Sequence, residues 1–186
     1  NVVMSARRHV IRSTRAEPAA TRVEYVAALC QGKRVLDIGC VNHIASAQLE
    51  SSWLHKQVCN VASYCLGLDT VESAVQDLRK SGYNVAVCDI TQQSIDDRFD
   101  VIVAGEVIGH LSDPSAVFRL GTKCLLPGGK LVITSPNPYY LNHMWHSIRG
   151  DSYWSADIVT LVTPSGIVEM AERAGLRMVQ WRGVRL

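Results

Sequence analysis

Short apolar runs that close on an acid or a glycine, each followed by a stretch of helical length, recur along this chain and restrict its fold more than any other feature. The runs are 34–38 (RVLDI, then Gly39), 64–68 (YCLGL, then Asp69), 84–87 (ahead of Asp89) and 100–104 (DVIVA, then Gly105). Continuously apolar runs of this length suit strands covered on both faces. A fifth strand is expected at 130–134 (KLVIT) after the turn Pro127-Gly128-Gly129, and a sixth at about 177–181. Between them the sequence predicts helices at 20–29, 44–62, 71–81, about 114–126 and 165–174. Asp113 and Pro114 open the fourth of these as cap and first helical residue, Thr163-Pro164 repeats the device, and Gly175 supplies a stop. Strand and helix in alternation give an α/β, doubly wound, mostly parallel sheet.

With 186 residues the chain holds one such unit, expected as an N-terminal arm and helix (1–32) packed on a domain spanning 33–186. Lys plus Arg number 19 against 17 Asp plus Glu, a balance that forecasts no nucleic-acid partner. No apolar run reaches the ~20 residues that cross a bilayer, so no membrane partner is expected. Arg7, Arg8, Arg12, Arg15 and Arg22 lie in a segment without a continuous apolar core, which fits no secretory signal. A cytoplasmic location is the expectation. The six cysteines form no C-x-x-C pair and have mostly apolar neighbours, so they read as reduced core thiols, with no metal and no disulfide framework.

In an open parallel sheet, ligands bind beyond the carboxyl ends of the strands. Four acids stand there: Asp37, expected in the turn after the first strand, Asp69 closing the second, Asp89 after the third and Glu106 after the fourth. Any one of them alone could equally cap the next helix. Four together point to a ligand, and a carboxylate at the end of the second strand is placed to grip a ribose diol through two hydrogen bonds.

The ordered strings VLDIGC (35–40), GLD (67–69), CDI (88–90), FDVIVAGEVIGHLSDP (99–114) and LLPGGKLVITSPNP (125–138) resemble the class I S-adenosylmethionine-dependent methyltransferases. The resemblance runs over about 33–175 and implies S-adenosylmethionine as cofactor. It places Asp37 and Gly39 beside the methionine part, Asp69 on the ribose hydroxyls, Asp89 with Ile90 around the adenine, and Glu106 in the same site. The first loop departs from the family's glycine pattern, with Val41 and His43 where the second and third glycines would stand. A dinucleotide needs those glycines for its pyrophosphate, so a nicotinamide or flavin dinucleotide is disfavoured. S-adenosylmethionine has no pyrophosphate.

Methyl transfer from a sulfonium is an in-line displacement in which the protein aligns, excludes water and, for a hydroxyl acceptor, provides a base. His110, after the fourth strand, is the catalytic candidate. Tyr139, Tyr140, Trp145, Tyr153 and Trp154 place five of the chain's twelve aromatics within sixteen residues, enough to cover an acceptor site. Tyr139, Tyr140, His143 and Trp145 are the expected substrate-binding residues. Aromatic faces stack on sugar rings or planar ligands.

The reading is O-methylation of a small-molecule or glycan acceptor, and the alternative is a non-catalytic or regulatory methyltransferase-like domain. No Asn-Pro-Pro-Tyr string of a nucleic-acid methyltransferase is present. The resembling enzymes finish with two further strands, whereas only a few residues follow Arg182. The expectation is a sheet lacking its last strand, in a chain that either self-associates as a homo-oligomer or is a shortened version of a longer protein.

Overall fold

A computed structural model describes residues 21–42, 53–139, 141–151 and 157–183. Its centre is a five-stranded sheet of β1 (Arg34–Ile38), β2 (Tyr64–Asp69), β3 (Val85–Val87), β4 (Phe99–Gly105) and β5 (Leu125–Thr134), in the order β3-β2-β1-β4-β5. Every pairing is parallel. The chain reverses its direction of winding between β1 and β4, which makes the carboxyl ends of those two strands the natural crevice of the sheet.

The helices are α1 (Arg22–Cys30), α2 (Leu54–Val61), α3 (Glu72–Lys80), α4 (Ser115–Cys124), α5 (Leu141–Ile148) and α6 (Pro164–Arg173), with a 3-10 turn at Ile108–His110. Strand parity decides which helix covers which residue. Val35, Val101 and Val103 turn to one face, where Val26 and Cys30 of α1 and Leu54 and Val58 of α2 bury them. Leu36, Ile38, Ile102 and Ala104 turn to the other, against Val117, Phe118 and Leu120 of α4 and Ile167 and Ala171 of α6. Val75 and Leu78 of α3 close the β3 side with Val85, Cys40 and Trp53.

Helix starts follow their capping chemistry. Thr21 and Glu24 form a reciprocal box at α1, Glu24 N–H donating to Thr21 Oγ1 at 3.2 Å and Thr21 N–H to Glu24 Oε2 at 2.8 Å. At α4 the helix starts one residue later than expected, at Ser115 with Pro114 as the cap residue, and the Asp113 carboxylate accepts from Ser115 N–H at 3.1 Å; at α6 Thr163 Oγ1 accepts from Gly166 N–H at 3.1 Å.

The structure departs from the sequence reading at three places, and a further expectation falls largely outside the described residues. Asp37 lies inside β1, not in the turn after it. α4 stops at Cys124 because the chain enters β5 at Leu125, and Pro127-Gly128-Gly129 forms an irregularity within that strand between the pairs Phe99↔Leu125 and Val101↔Lys130. Gly129 has to be glycine there, since a Cβ would stand 2.9 Å from the carbonyl oxygens of Asp100 and Leu126. Of the helix expected at 44–62 the structure describes only Leu54–Val61, residues 43–52 lying outside the described residues. The expected sixth strand does not form: 176–183 pairs with no strand among the described residues. Leu176, Met178 and Trp181 nevertheless pack on the core, so side-chain burial holds the segment without a ladder.

Candidate active site

A cleft of about 640 Å³ opens at the carboxyl ends of the strands, and Asp37, Gly39, Asp69, Asp89, Ile90, Glu106 and His110 all line it. Residues spread over more than seventy positions of sequence are thus brought to one place. The volume lies within the ~300–1,000 Å³ usual for small-molecule and cofactor sites.

The floor of the cleft is the β1–α2 junction. Asp37 shares the parity of Val35, so its side chain turns to the face that α2 covers, and there its Oδ2 meets His55 Nδ1 at 2.8 Å. Both residues are buried. Gly67, paired with Asp37 across the ladder, leaves the space for the imidazole, since a Cβ at Gly67 would stand 2.6 Å from His55 Cε1. Burial opposes a charge on that ring, but the hydrogen bonds to Asp37 and to Cys59, whose Sγ lies 3.4 Å from Nε2, outweigh it and raise the His55 pKa to about 9. Beside it the Cys59 thiol is pushed down to about 5, first by its hydrogen bond with Cys65 and, against burial, by His55. Trp53 and Tyr83 pack on the imidazole, with ring centroids 5.4 and 5.6 Å away.

The first loop leaves β1 through Gly39 at φ +71°, where any side chain would meet Val107 Cγ2 at 2.2 Å. Gly39 and Cys40 N–H groups donate to Leu68 O at 2.8 and 3.1 Å, and Val41 N–H donates to Asp69 Oδ2 at 3.0 Å. It is the backbone of Val41 that makes this contact, which explains why a valine can stand where the family has a glycine. Asp69 Oδ1 accepts from Val71 N–H at 3.1 Å. Each carboxylate oxygen can accept a second hydrogen bond, so a diol can still be held.

Asp89 closes its own turn, accepting from Thr91 N–H at 2.9 Å, Thr91 Oγ1 at 2.6 Å and Gln92 Nε2 at 2.8 Å. The Thr91 bonds hold its carboxyl below the usual aspartate range. Glu106 is the one non-glycine residue with a left-handed backbone among the described residues, at φ +61°. Its N–H donates to Thr134 Oγ1 and O, both at 3.1 Å. Its Oε1 accepts from the Thr134 hydroxyl at 3.0 Å and lies 3.9 Å from Arg22 Nη1. Strain of this kind persists only where surrounding bonds enforce it, commonly at ligand sites. His110, on the 3-10 turn, directs Nδ1 to Asp157 at 3.1 Å from the backbone carbonyl and 3.2 Å from Oδ2.

Among the residues lining the cleft that the sequence reading did not single out are Arg22, Trp53, His55 and Asp157. His55 sits next to Leu54 and one turn before Val58 on the buried side of α2, so its signal was a lone histidine within an apolar helix face. Tyr139, His143 and Trp145 do not line the cleft, and Tyr140, Tyr153 and Trp154 lie outside the described residues. Tyr139 and Trp145 are 61% and 58% exposed. On α5 the residues Leu141, Met144, Trp145 and Ile148, at helical spacing, are all exposed. The described part of this segment therefore presents an apolar stripe to solvent instead of walling a pocket. Among the described residues no helix is long and apolar enough to cross a membrane.

The donor set suits S-adenosylmethionine. Asp69 offers acceptors for a diol, Leu68, Cys88 and Ile90 offer an apolar wall, and Asp37, Glu106 and Arg22 offer both signs of charge for a cationic, zwitterionic chain. Comparison with known proteins agrees. The methyltransferase-domain family matches residues 11–181. The ubiquinone biosynthesis O-methyltransferase of Aeromonas salmonicida is 25% identical over 159 residues, covering 82% of this chain and 66% of that protein. The protein of the same name in Neisseria meningitidis is 25% identical over 182 residues, covering 88% and 72%. The chain spans about two thirds of the length of such relatives. Among solved structures, YcgJ of Bacillus subtilis superposes with a TM-score of 0.60 at 18% identity, covering 82% of this chain and 66% of that one. A TehB-like S-adenosylmethionine-dependent methyltransferase from Corynebacterium glutamicum gives 0.55 at 18% identity, covering 92% and 80%. These two share the fold. The strand order, the acids gathered at the strand ends and a family match over most of the sequence lead to one assignment: the chain belongs to the class I S-adenosylmethionine-dependent methyltransferases.

Proposed function

We propose that the chain transfers the methyl group of S-adenosylmethionine to an oxygen of a small-molecule or sugar-containing acceptor. The observation that carries this reading is the convergence of Asp69, Glu106 and His110, from three separate elements, on one cleft. The O-methyltransferase names of the curated relatives support oxygen as the acceptor atom. When bound, the cofactor supplies an electrophilic methyl group on a sulfonium.

The rest falls to residues of this chain. Asp69 holds the ribose hydroxyls through the lone pairs that Val41 and Val71 leave over. Leu68, Cys88 and Ile90 enclose the adenine, with Asp89 fixing the turn that carries Ile90. Arg22 pairs with the carboxylate of the methionine chain, and Asp37 and Glu106 with its ammonium. His110 is oriented through Nδ1 by Asp157, so Nε2 is the ring atom that takes the acceptor's proton. General-base catalysis of this kind is worth roughly 10²–10⁴-fold.

The test is methyl transfer from labelled cofactor to a panel of phenols, sugars, hydroxylated small molecules and amines, with His110→Gln beside the native chain. Transfer that falls about 10²-fold or more in the variant, with cofactor affinity retained, bears out the role of His110. Transfer to nitrogen acceptors alone overturns the oxygen assignment. A second reading, a domain that binds cofactor without turnover, draws on the Val41 N–H occupying one acceptor position of Asp69. Tight binding with no product across the panel would select it.

A further inference from the structure

One group of side chains at the floor of the cleft is given no part in the methyl transfer described above. His55 and Cys59 stand one turn apart on α2, and Cys65 stands on the same face of the neighbouring strand β2. One ligand atom from each, His55 nitrogen, Cys59 Sγ and Cys65 Sγ, all lie within 4.8 Å of one another. We propose that His55, Cys59 and Cys65 form a zinc site that ties α2 to β2.

Three features of the geometry favour a metal over chance proximity of core thiols. The separation of 3.4 Å between His55 Nε2 and Cys59 Sγ is close to the ~3.6 Å that follows from bonds of ~2.0–2.1 Å to nitrogen and ~2.3 Å to sulfur at a tetrahedral angle. The Asp37 carboxylate takes Nδ1 at 2.8 Å, which turns Nε2 toward the two sulfurs; a carboxylate behind a metal-binding imidazole is the usual orienting partner. Gly67 removes the one Cβ that would drive the ring out of this position. Cys59 and Cys65 are only partly buried, so an ion can reach them.

The donor set selects the ion. Two thiolates and an imidazole suit Zn²⁺ and disfavour Mg²⁺ or Ca²⁺, which take oxygen ligands. Water takes the fourth position. On binding, Zn²⁺ displaces two protons, one from Cys65 Sγ and the one held between His55 Nε2 and Cys59 Sγ, and both pass to buffer. No electron moves. The site stands independently of the methyl-transfer reading, although Asp37 links the two.

The experiment is a titration of the reduced, chelator-stripped full chain with Zn²⁺ in competition with a chromogenic chelator, repeated with Co²⁺ to read thiolate-to-cobalt charge transfer. The expected result is one equivalent bound, a charge-transfer band, and loss of both in Cys59→Ser and in Cys65→Ser. Asp37→Asn, which removes the orienting carboxylate charge, should weaken binding by about 10–100-fold. No stoichiometric binding by the native chain, or binding undiminished in both serine variants, overturns the proposal. Should the variants fail to fold, alkylation of the native chain decides. Zinc should shield Cys59 and Cys65 from iodoacetamide, and equal labelling of both with and without zinc refutes the site.

Discussion

The two ends of the cleft are built differently. Around β1 and β2 the polar groups that line the cleft are tied down: Asp37 by His55, Asp69 by two backbone N–H groups, and the Gly39–Cys40 loop by the carbonyl of Leu68. After β5 the chain makes a short helix whose Leu141, Met144, Trp145 and Ile148 face solvent. The first region is preorganised for a ligand whose chemistry is fixed. The second carries apolar surface that is not spent on the core, as expected of an element whose packing waits on another molecule. This contrast matches the division of labour in a transferase, where one substrate is always the same and the other sets specificity.

The difference can be broken most severely at Asp37. Its removal in Asp37→Ala leaves His55 buried beside an apolar void, and loss of one partner of a buried charged pair costs about 3–5 kcal/mol; denaturant unfolding measures it, and a loss below 1 kcal/mol would mean that the pair does not organise the floor. Gly67→Ala ranks next. Its methyl group would stand 2.6 Å from His55 Cε1 and 2.8 Å from Cys40 Sγ, so overpacking should cost about 1–3 kcal/mol and show in the same experiment. On α5, Leu141→Ser and Trp145→Ala should change stability by no more than about 0.5 kcal/mol, because they remove no core contact. The same α5 variants sharpen the comparison if they alter acceptor turnover while leaving cofactor affinity alone. Hydrogen exchange supplies the complement: amides of β1 and β2 should exchange slowly with or without ligand, and those of α5 should gain protection when an acceptor binds.

How much of this was legible before the fold was known differs by kind of signal. Acids and glycines at strand ends were readable because each has a local reason to be where it is, and Asp37, Gly39, Asp69, Asp89, Ile90, Glu106 and His110 reach one cleft as a set. Asp37 stands inside β1 and not in the turn after it; only parity and the approach of α2 show how a carboxylate is kept inside a strand. His55 needed two elements to meet and a glycine opposite, which a single sequence does not display. The sixth strand failed for a related reason. Leu176, Met178 and Trp181 do pack, but which backbone, if any, a segment pairs with is not written in the segment itself. On α5 the helical spacing turns Trp145 and its neighbours outward, a direction that aromatic content by itself does not reveal.

Calorimetric titration of S-adenosylmethionine, or its demethylated product, into the native chain and Asp69→Ala tests the central claim most directly. The native chain should bind one equivalent. Loss of the charge-assisted hydrogen bonds of Asp69, worth ~1.5–3 kcal/mol, should weaken binding by roughly tenfold to 150-fold with the stability of the fold retained. Native binding that is unchanged in Asp69→Ala would contradict the placement of the ribose at the end of β2, and with it the account of the cleft.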